Sequence, residues 1–492
     1  MKKYFAIVIL FLSVFTSNAQ TILKADALQK DFAIMRQSYE TLHPGLYKYQ
    51  DKETIDAHFE ECKKALNHDQ TLQEAYLNFH KLTSKFKCGH AYPNFFNQEG
   101  FLKKELFEGK NCLPFHFKLI DGKMLVLKSA DSTLKSGLEI KSINGVSVAK
   151  IIKTLLPIVR ADGSNDGKRL KLLEISGQYF EYFDIFFPMF FPAKTANFEV
   201  VTYDLKSKKS NKLTITAMNH VEREKTLKVK YNEPELTKTN FKWMNDQTAI
   251  MEINTFSNYD NKYPFERLFR EYLIEYKQKK GQNLIIDVRK NEGGNTSEVM
   301  KLIKLLAKET IEFKEIQSTW AFLKIDSTLI NYVDNKDWAS GWFNKDPKKF
   351  IALPNGQFKD KLLDLPRTIK PEVDLRPQNV YLLTSPTNSS ATYILADIIK
   401  TNHLATIVGQ TTGGNQKGIT ASAMFFMVLP NTKIEVDVPL IGTDYEVAKT
   451  RPDAGISPDV YVKPNIDDAV KGVDTEMEVV KKMILKQKSL NK

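Results

Sequence analysis

Leu284-Ile285-Ile286-Asp287-Val288-Arg289-Lys290-Asn291-Glu292-Gly293-Gly294-Asn295 opens as an apolar run and then turns through two adjacent glycines. A short apolar run closed by a turn signal reads as a strand buried on both faces. Behind it, Thr296 to Leu306 carries helical periodicity. The unit recurs: Val380-Tyr381-Leu382-Leu383-Thr384 is a second such strand, followed by a helix through Ser390 to Lys400 and a third strand from Ala405 to Val408. Repeated strand, loop and helix units predict a largely parallel α/β sheet from about Lys242 onward, with its sites at the carboxyl ends of the strands. The chemistry is therefore expected in the loops after Ile286 and Thr384.

Toward the N-terminus the pattern changes twice. Between about Cys112 and Thr216 short alternating strands, such as His116 to Leu119 and Met124 to Leu127, are separated by turn residues. Within this stretch Leu134-Lys135-Ser136-Gly137-Leu138-Glu139-Ile140-Lys141-Ser142-Ile143-Asn144-Gly145-Val146 resembles the core of PDZ domains, with a helix expected from Val148. Such domains bind an extended peptide as an added strand. The plainer alternative is a small β-rich insert with an Asn-Gly turn. From Leu23 to about Lys87 apolar residues recur at helical spacing, as in Leu28, Phe32, Met35 and Tyr39, and this region ends in Cys88-Gly89-His90-Ala91-Tyr92. The aromatic stretch Tyr179 to Pro192 contains Glu181, Asp184 and Pro188, which argue against a membrane helix. It reads as core or interdomain packing, with a substrate-facing surface as the other possibility.

Composition bounds the rest. The 492 residues, 42% hydrophobic and 26% charged, suit a multidomain globular protein and exclude a disordered or polytopic membrane chain. The formal charge is +12, with the basic residues scattered, so nucleic acid is not an expected partner. Lys2 and Lys3, an apolar run to Phe15 and the small residues up to Ala19 read as a secretory signal peptide cut after Ala19. A membrane anchor would need roughly 20 apolar residues. Export to a periplasmic or extracellular compartment is thus expected, with no stable membrane span after cleavage. Cys62, Cys88 and Cys112 allow one disulfide with a free thiol, or three buried thiols.

Two loops carry groups suited to acyl transfer. A serine at Ser389 or Ser390 would stand at a helix N-terminus, where backbone N–H groups favour an oxyanion, although a serine there often only caps the helix. The Gly293-Gly294 turn can aim N–H groups inward, as an oxyanion hole requires. Taken together, Asp287 to Gly294, Leu383 to Ala391 and Val408 to Gly414 resemble the tail-specific, or C-terminal-processing, serine peptidases. That superfamily includes the tricorn protease core and the interphotoreceptor retinoid-binding protein modules.

The resemblance implies Ser390 as nucleophile, with Ala391 and Gly293 or Gly294 supplying the oxyanion hole. In the processing branch a lysine serves as base, six residues after the glycine matched by Gly409; here that position is Asn415, and Lys417 is displaced by two. The tricorn-like branch uses a histidine from the N-terminal region, which implies His90, whose ordinary pKa near 6.5 suits a base at neutral pH. The orienting acid falls on Asp453, with Glu446 as the reserve. Gly163-Ser164-Asn165-Asp166-Gly167-Lys168-Arg169 looks like a phosphate loop but is one residue short and ends in Arg. The sequence carries no pattern of a dedicated zinc site, and the mechanism implied by the resemblance needs no cofactor.

The expected layout is a signal peptide (1–19), a helical N-terminal region with the His90 segment (20–105) and a PDZ-like domain (106–225). An α/β catalytic domain with a crotonase- or Clp-peptidase-like sheet (226–475) and a C-terminal tail (476–492) follow. The expected activity is hydrolysis of peptides or unfolded proteins by a Ser-His-acid mechanism. The rival is a catalytically inactive protein on the same fold that binds a peptide or hydrophobic ligand, favoured by the missing lysine and opposed by the intact Ser390 and His90. Oligomeric state is not legible in the sequence.

Overall fold

The computed structural model describes residues 21–108, 111–193, 195–313, 316–334, 336–361, 367–372, 375–445 and 451–490. The expected export signal and Glu446 lie outside the described residues.

Six strands form the sheet on which the chemistry-bearing loops stand. Their spatial order is Val460–Tyr461, Thr406–Gly409, Asn379–Thr384, Asn283–Asp287, Thr248–Ile253 and Thr239–Asn245. All neighbours run parallel except the last pair, which is antiparallel. Period-two alternation sends successive side chains to opposite faces. Leu284, Ile286 and Leu382 enter one core with the helices Phe265–Gln278, Thr296–Leu306 and Ser390–Thr401. Ile285, Tyr381 and Leu383 enter the other, against Val480 and Ile484 of the helix Thr475–Leu490. Coverage on both faces explains why these strands are continuously apolar; each fully buried Leu or Ile contributes about 1.5–3 kcal/mol. The register pairs Asp287 with Leu383 and Thr384 with Gly409, so three loops leave the same edge side by side.

A second, antiparallel sheet is inserted between those strands, with the order Phe350–Ala352, Phe358–Asp360, Ile316–Trp320, Glu435–Tyr445 and Ile419–Val428. Sequence reading did not anticipate it, because its strands are contributed from both sides of the Ser390 segment. The long hairpin of 419–428 and 435–445 packs on Ala25–Leu42, the first of the N-terminal helices Ala25–Leu42, Lys52–Ala65 and Leu72–Lys85. Phe425, Met427, Val436 and Val438 share one core with Leu28, Phe32, Met35 and Tyr39. The Tyr39 hydroxyl donates to the Asp437 carbonyl at 2.8 Å, and the Asp437 N–H donates to the Tyr92 carbonyl at 3.0 Å. The segment just after His90 is thus fastened to the hairpin.

A third sheet has the order Phe115–Ile120, Lys123–Ser129, Glu139–Ile143, Asn197–Asp204 and Lys209–Thr216, all antiparallel. The helix Val148–Leu155 begins at the capping side chain of Ser147. The aromatic stretch becomes the helix Tyr182–Phe190, with Tyr182, Phe183, Ile185, Phe186 and Phe187 buried. Phe186 packs on His80 and Tyr76 of the N-terminal helices, so this part of the stretch is packing between regions. Cys62, Cys88 and Cys112 are all buried free thiols. Among the described residues no helix is long and apolar enough to cross a membrane.

Candidate active site

The Asp287–Asn295 loop is shaped by its own side chains. Arg289 donates to Asp287 Oδ2 and to Asp474 Oδ2, both at 2.7 Å, pinning the loop to the start of the C-terminal helix. Asn291 turns inward and is fully buried: its Nδ2 donates to the Ile253 carbonyl and its Oδ1 accepts from Gly293 N–H at 2.9 Å. Gly293 and Gly294 take φ of +136° and +138°, values that L side chains rarely adopt. A Cβ on Gly293 would lie 2.8 Å from Ser390 Cβ and 3.2 Å from Ala391 N. The two loops therefore meet backbone to backbone.

Asn388 holds the second loop. Its Oδ1 accepts from Ser385 N–H at 2.7 Å, its Nδ2 donates to the Asn291 carbonyl at 3.0 Å, and its own carbonyl accepts from Gly413 N–H at 2.6 Å. One buried residue, through its side chain and its own carbonyl, thus joins all three loops. Ser389 occupies the N-cap position of the helix Ser390–Thr401 without capping it; its hydroxyl instead donates to the Glu292 carbonyl at 3.0 Å. Ser390 has φ of +50°, a conformation that costs a non-glycine residue roughly 1–2 kcal/mol. Its Oγ has no hydrogen-bond partner among the described residues. A strained, half-buried serine with an unengaged hydroxyl at a helix N-terminus is what a nucleophile requires.

A small cavity of about 10 Å³, near the minimum a single water needs, lies beside this turn. Gly89, His90, Arg160, Ala161, Asp162, Lys168, Ser389 and Gly413 line it. Four segments distant in sequence bring His90 to the Ser389 turn. Burial holds the imidazole's pKa below its ordinary value; the negative charge of Asp162 opposes this, and the positive charges of Arg160 and Lys168 reinforce it. The imidazole is therefore neutral at pH 7, and its buried Nδ1 has no hydrogen-bond partner among the described residues. Asp162 Oδ1 accepts from Gly89 N–H at 2.9 Å, next to the imidazole. A larger hollow of about 250 Å³ lies between the first two helices, lined by Phe32, Arg36 and Glu40, and carries none of these groups.

The other sequence-derived site residues fall nearby. Ala391 follows Ser390 and Gly293 borders its turn, although the Gly293 N–H is already given to Asn291, whereas a Cβ on Gly294 would meet Phe256 and Ser257. Asp453 does not hydrogen-bond to His90: its oxygens accept from Ser164 N–H (3.0 Å), Ser164 Oγ (2.9 Å) and Asn415 Nδ2 (2.6 Å). Asn415, at the position where a lysine base would stand, is fully buried and also donates to the Asp162 carbonyl at 3.3 Å. Asp453 thus reaches the His90 neighbourhood through Asn415. The Lys417 ammonium acts electrostatically on Asp453. Sequence reading missed Arg160, Asp162, Lys168 and Glu292. The one available signal was the 163–169 segment, set aside as an imperfect phosphate loop.

Residues 247–462 match the model of peptidase family S41. The chain carries an S41 peptidase domain. It is a hydrolase of the serine peptidase kind, and its substrates are peptides or proteins. No curated protein sequence matches it. Among solved structures it is similar to mature CPAF complexed with lactacystin, at 13% identity over 94% of this chain and 98% of that one, with a TM-score of 0.63. Mature CPAF alone gives the same identity and TM-score over 94% and 97%. At that identity the likeness is one of fold, and it extends beyond the S41 segment to nearly the whole chain. The photosystem II D1 C-terminal processing protease is also similar, at 13% identity over 92% and 98%, with a TM-score of 0.41.

Proposed function

We propose that this S41 chain is an exported serine peptidase in which Ser390 is the nucleophile and His90 the general base. The observation that carries the reading is Ser390 itself: positive φ, an unengaged hydroxyl, and Gly293 pressed against its turn. In acylation Ser390 Oγ adds to the scissile carbonyl carbon while His90 takes the hydroxyl proton. The tetrahedral oxyanion sits against the N–H groups of Ala391 and Gly294, its collapse breaks the C–N bond, and the imidazolium passes its proton to the leaving amine. Water then adds to the acyl-enzyme, giving its proton to His90, and Ser390 leaves reprotonated.

Asp162 stabilises the imidazolium, and Asp453 acts one step back, holding the 162–164 loop through Ser164 and Asn415. The antiparallel sheet and helices of 106–225 serve as a PDZ-like domain that captures extended peptide, and the helical region of 20–105 presents His90. Residues 1–19 direct export to the periplasm or beyond and are then removed.

The test is labelling of the purified protein by a fluorophosphonate. Labelling is expected in the wild type, absent in Ser390→Ala and slowed in His90→Ala. Dependence on Lys417 instead of His90 would overturn the choice of base. A folded wild type that takes no label would favour a peptide- or hydrophobic-ligand-binding protein, the reading to which the buried Asn415 in place of a lysine lends support.

A further inference from the structure

Lys168 is the most unusual charge in the molecule outside the assigned residues. Its side chain is 2% exposed. It arises from the helix Asp166–Leu173, whose N-cap Asn165 donates through Nδ2 to the Thr412 and Gly414 carbonyls at 2.9 and 3.0 Å. The ammonium donates to the Thr387 carbonyl at 2.9 Å and to Ser389 Oγ at 3.3 Å, and lies 3.7 Å from Glu292 Oε1. Its stem passes over Gly413, where an added Cβ would meet Lys168 Cδ at 2.8 Å. Burying an ammonium costs several kcal/mol unless its protons are met, so a lysine held here is one whose contacts matter.

We infer that Lys168 is a positioning residue for acyl transfer, its ammonium fastening the Thr387–Ser389 turn that presents Ser390 and lending its charge to the wall around His90. The inference rests on Ser390 and His90 acting as nucleophile and base. Two consequences follow from the geometry. The ammonium clamps a carbonyl and a hydroxyl within three residues of Ser390, against a backbone conformation that is itself strained. It also belongs to a balanced set: Arg160 and Lys168 oppose Asp162 and Glu292, with His43 and Cys88 as the further titratable groups near the imidazole. Removing Lys168 leaves two carboxylates and one cation facing His90, which favours the imidazolium and leaves less free base on the acid side. Burial lowers the ammonium's own pKa to about 8, so it is still charged at neutral pH.

The experiment measures inactivation of the full chain by a fluorophosphonate as a function of pH. For Lys168→Met the limiting inactivation rate is expected to fall by about ten- to a hundredfold, the scale of a small misplacement at a reacting centre, with the half-saturating concentration little changed. The acid limb should move to higher pH by about half a unit or more, because a positive charge beside the imidazole is gone. Lys168→Arg keeps the charge and should leave the limb in place even where the rate falls. Ser389→Ala removes one acceptor alone and should reproduce part of the rate loss, adding little on top of Lys168→Met.

An unchanged rate and an unmoved limb in folded Lys168→Met would overturn the inference. So would a limb that shifts equally in Lys168→Arg. Should Lys168→Met fail to fold, a Ser389→Ala enzyme with wild-type kinetics would overturn it. Wild-type protein that takes no label, or label that survives Ser390→Ala, sinks the underlying reading and is distinct from either outcome.

Discussion

The two sides of the cavity are built in opposite ways. On one side, the Ser390 turn and the Gly293-Gly294 loop grow from adjacent parallel strands, and each is held by side chains a few residues away, such as Asn291, Ser385 and Asn388. On the other, His90, Arg160, Asp162 and Lys168 arrive from segments separated by tens of residues and meet the nucleophile side across about 220 to 300 positions of sequence. The first side is fixed by local backbone geometry and the second by a balance of buried charge. A single substitution should therefore break the first side through sterics and the second through charge.

The sharpest break is expected at Gly293. Alanine there must adopt φ of +136° and would place its Cβ against Ser390 Cβ and in front of Ala391 N–H. A loss of about 10²–10³ in kcat is expected, the cost of spoiling an oxyanion hole. Steady-state hydrolysis alongside circular dichroism checks it; a folded Gly293→Ala enzyme with near-normal kcat would show that the two loops do not act together.

That asymmetry also explains what was legible in the sequence. Asp287 to Gly294 and the Ser390 turn could be read because strand, turn and helix there are decided within a dozen residues. The same holds for the helices around Leu28 to Tyr39, whose apolar periodicity matches the buried face. His90 could be picked out only by resemblance, since nothing local distinguishes it from His80, a buried histidine whose Nε2 donates to the Ile158 carbonyl at 3.0 Å in the packed core. Asp162 carried no local signal, and Lys168 only the misleading one of an imperfect phosphate loop, because their role exists only once the helix Asp166–Leu173 docks on the Ser389 turn. The antiparallel sheet of 316–445 escaped for the same reason: Ile316 pairs with Tyr445 across well over a hundred residues.

On the charge-built side the two acids separate. Asp162→Asn retains an oxygen for Gly89 N–H but removes the nearest negative charge from the imidazole. The imidazolium loses its partner, so kcat is expected to fall roughly tenfold or more, and the acid limb of the pH–rate profile to move to lower pH. This is opposite in sign to the shift expected for Lys168→Met. Asp453→Asn should act more weakly, since Asp453 touches Ser164 and Asn415 instead of the imidazole. Equal effects from the two substitutions, or a larger one from Asp453→Asn, would restore Asp453 as the orienting acid.

The smallest expected effect lies behind the His90 segment and concerns stability. Glu435 and Asp437, successive inward-facing residues of the hairpin, are 2% and 4% exposed. Asp437 accepts from Asn94 Nδ2 at 2.7 Å and Asn97 Nδ2 at 3.0 Å, while neither carboxyl oxygen of Glu435 has a hydrogen-bond partner among the described residues. Burial and the mutual repulsion of the two carboxylates push the Glu435 pKa well up, and burial raises Asp437 as well, to about 6. A carboxyl with a raised folded-state pKa binds its proton more tightly folded than unfolded. Its penalty is therefore absent below the ordinary carboxylate range and grows as pH rises through that range toward the folded-state values. The protein should lose stability from about pH 4 upward on account of this pair. Glu435→Gln keeps the shape, and Gln98 still holds the residue's backbone N–H and carbonyl at 3.0 and 2.8 Å. The variant should gain about 1–3 kcal/mol at pH 8, the desolvation cost of one buried charged group, and little at pH 4.5. Urea unfolding at the two pH values checks it. A gain at pH 8 with unchanged inactivation kinetics would show that the pair only fastens the 92–98 segment to the hairpin, whereas a changed acid limb would draw it into the charge balance around His90.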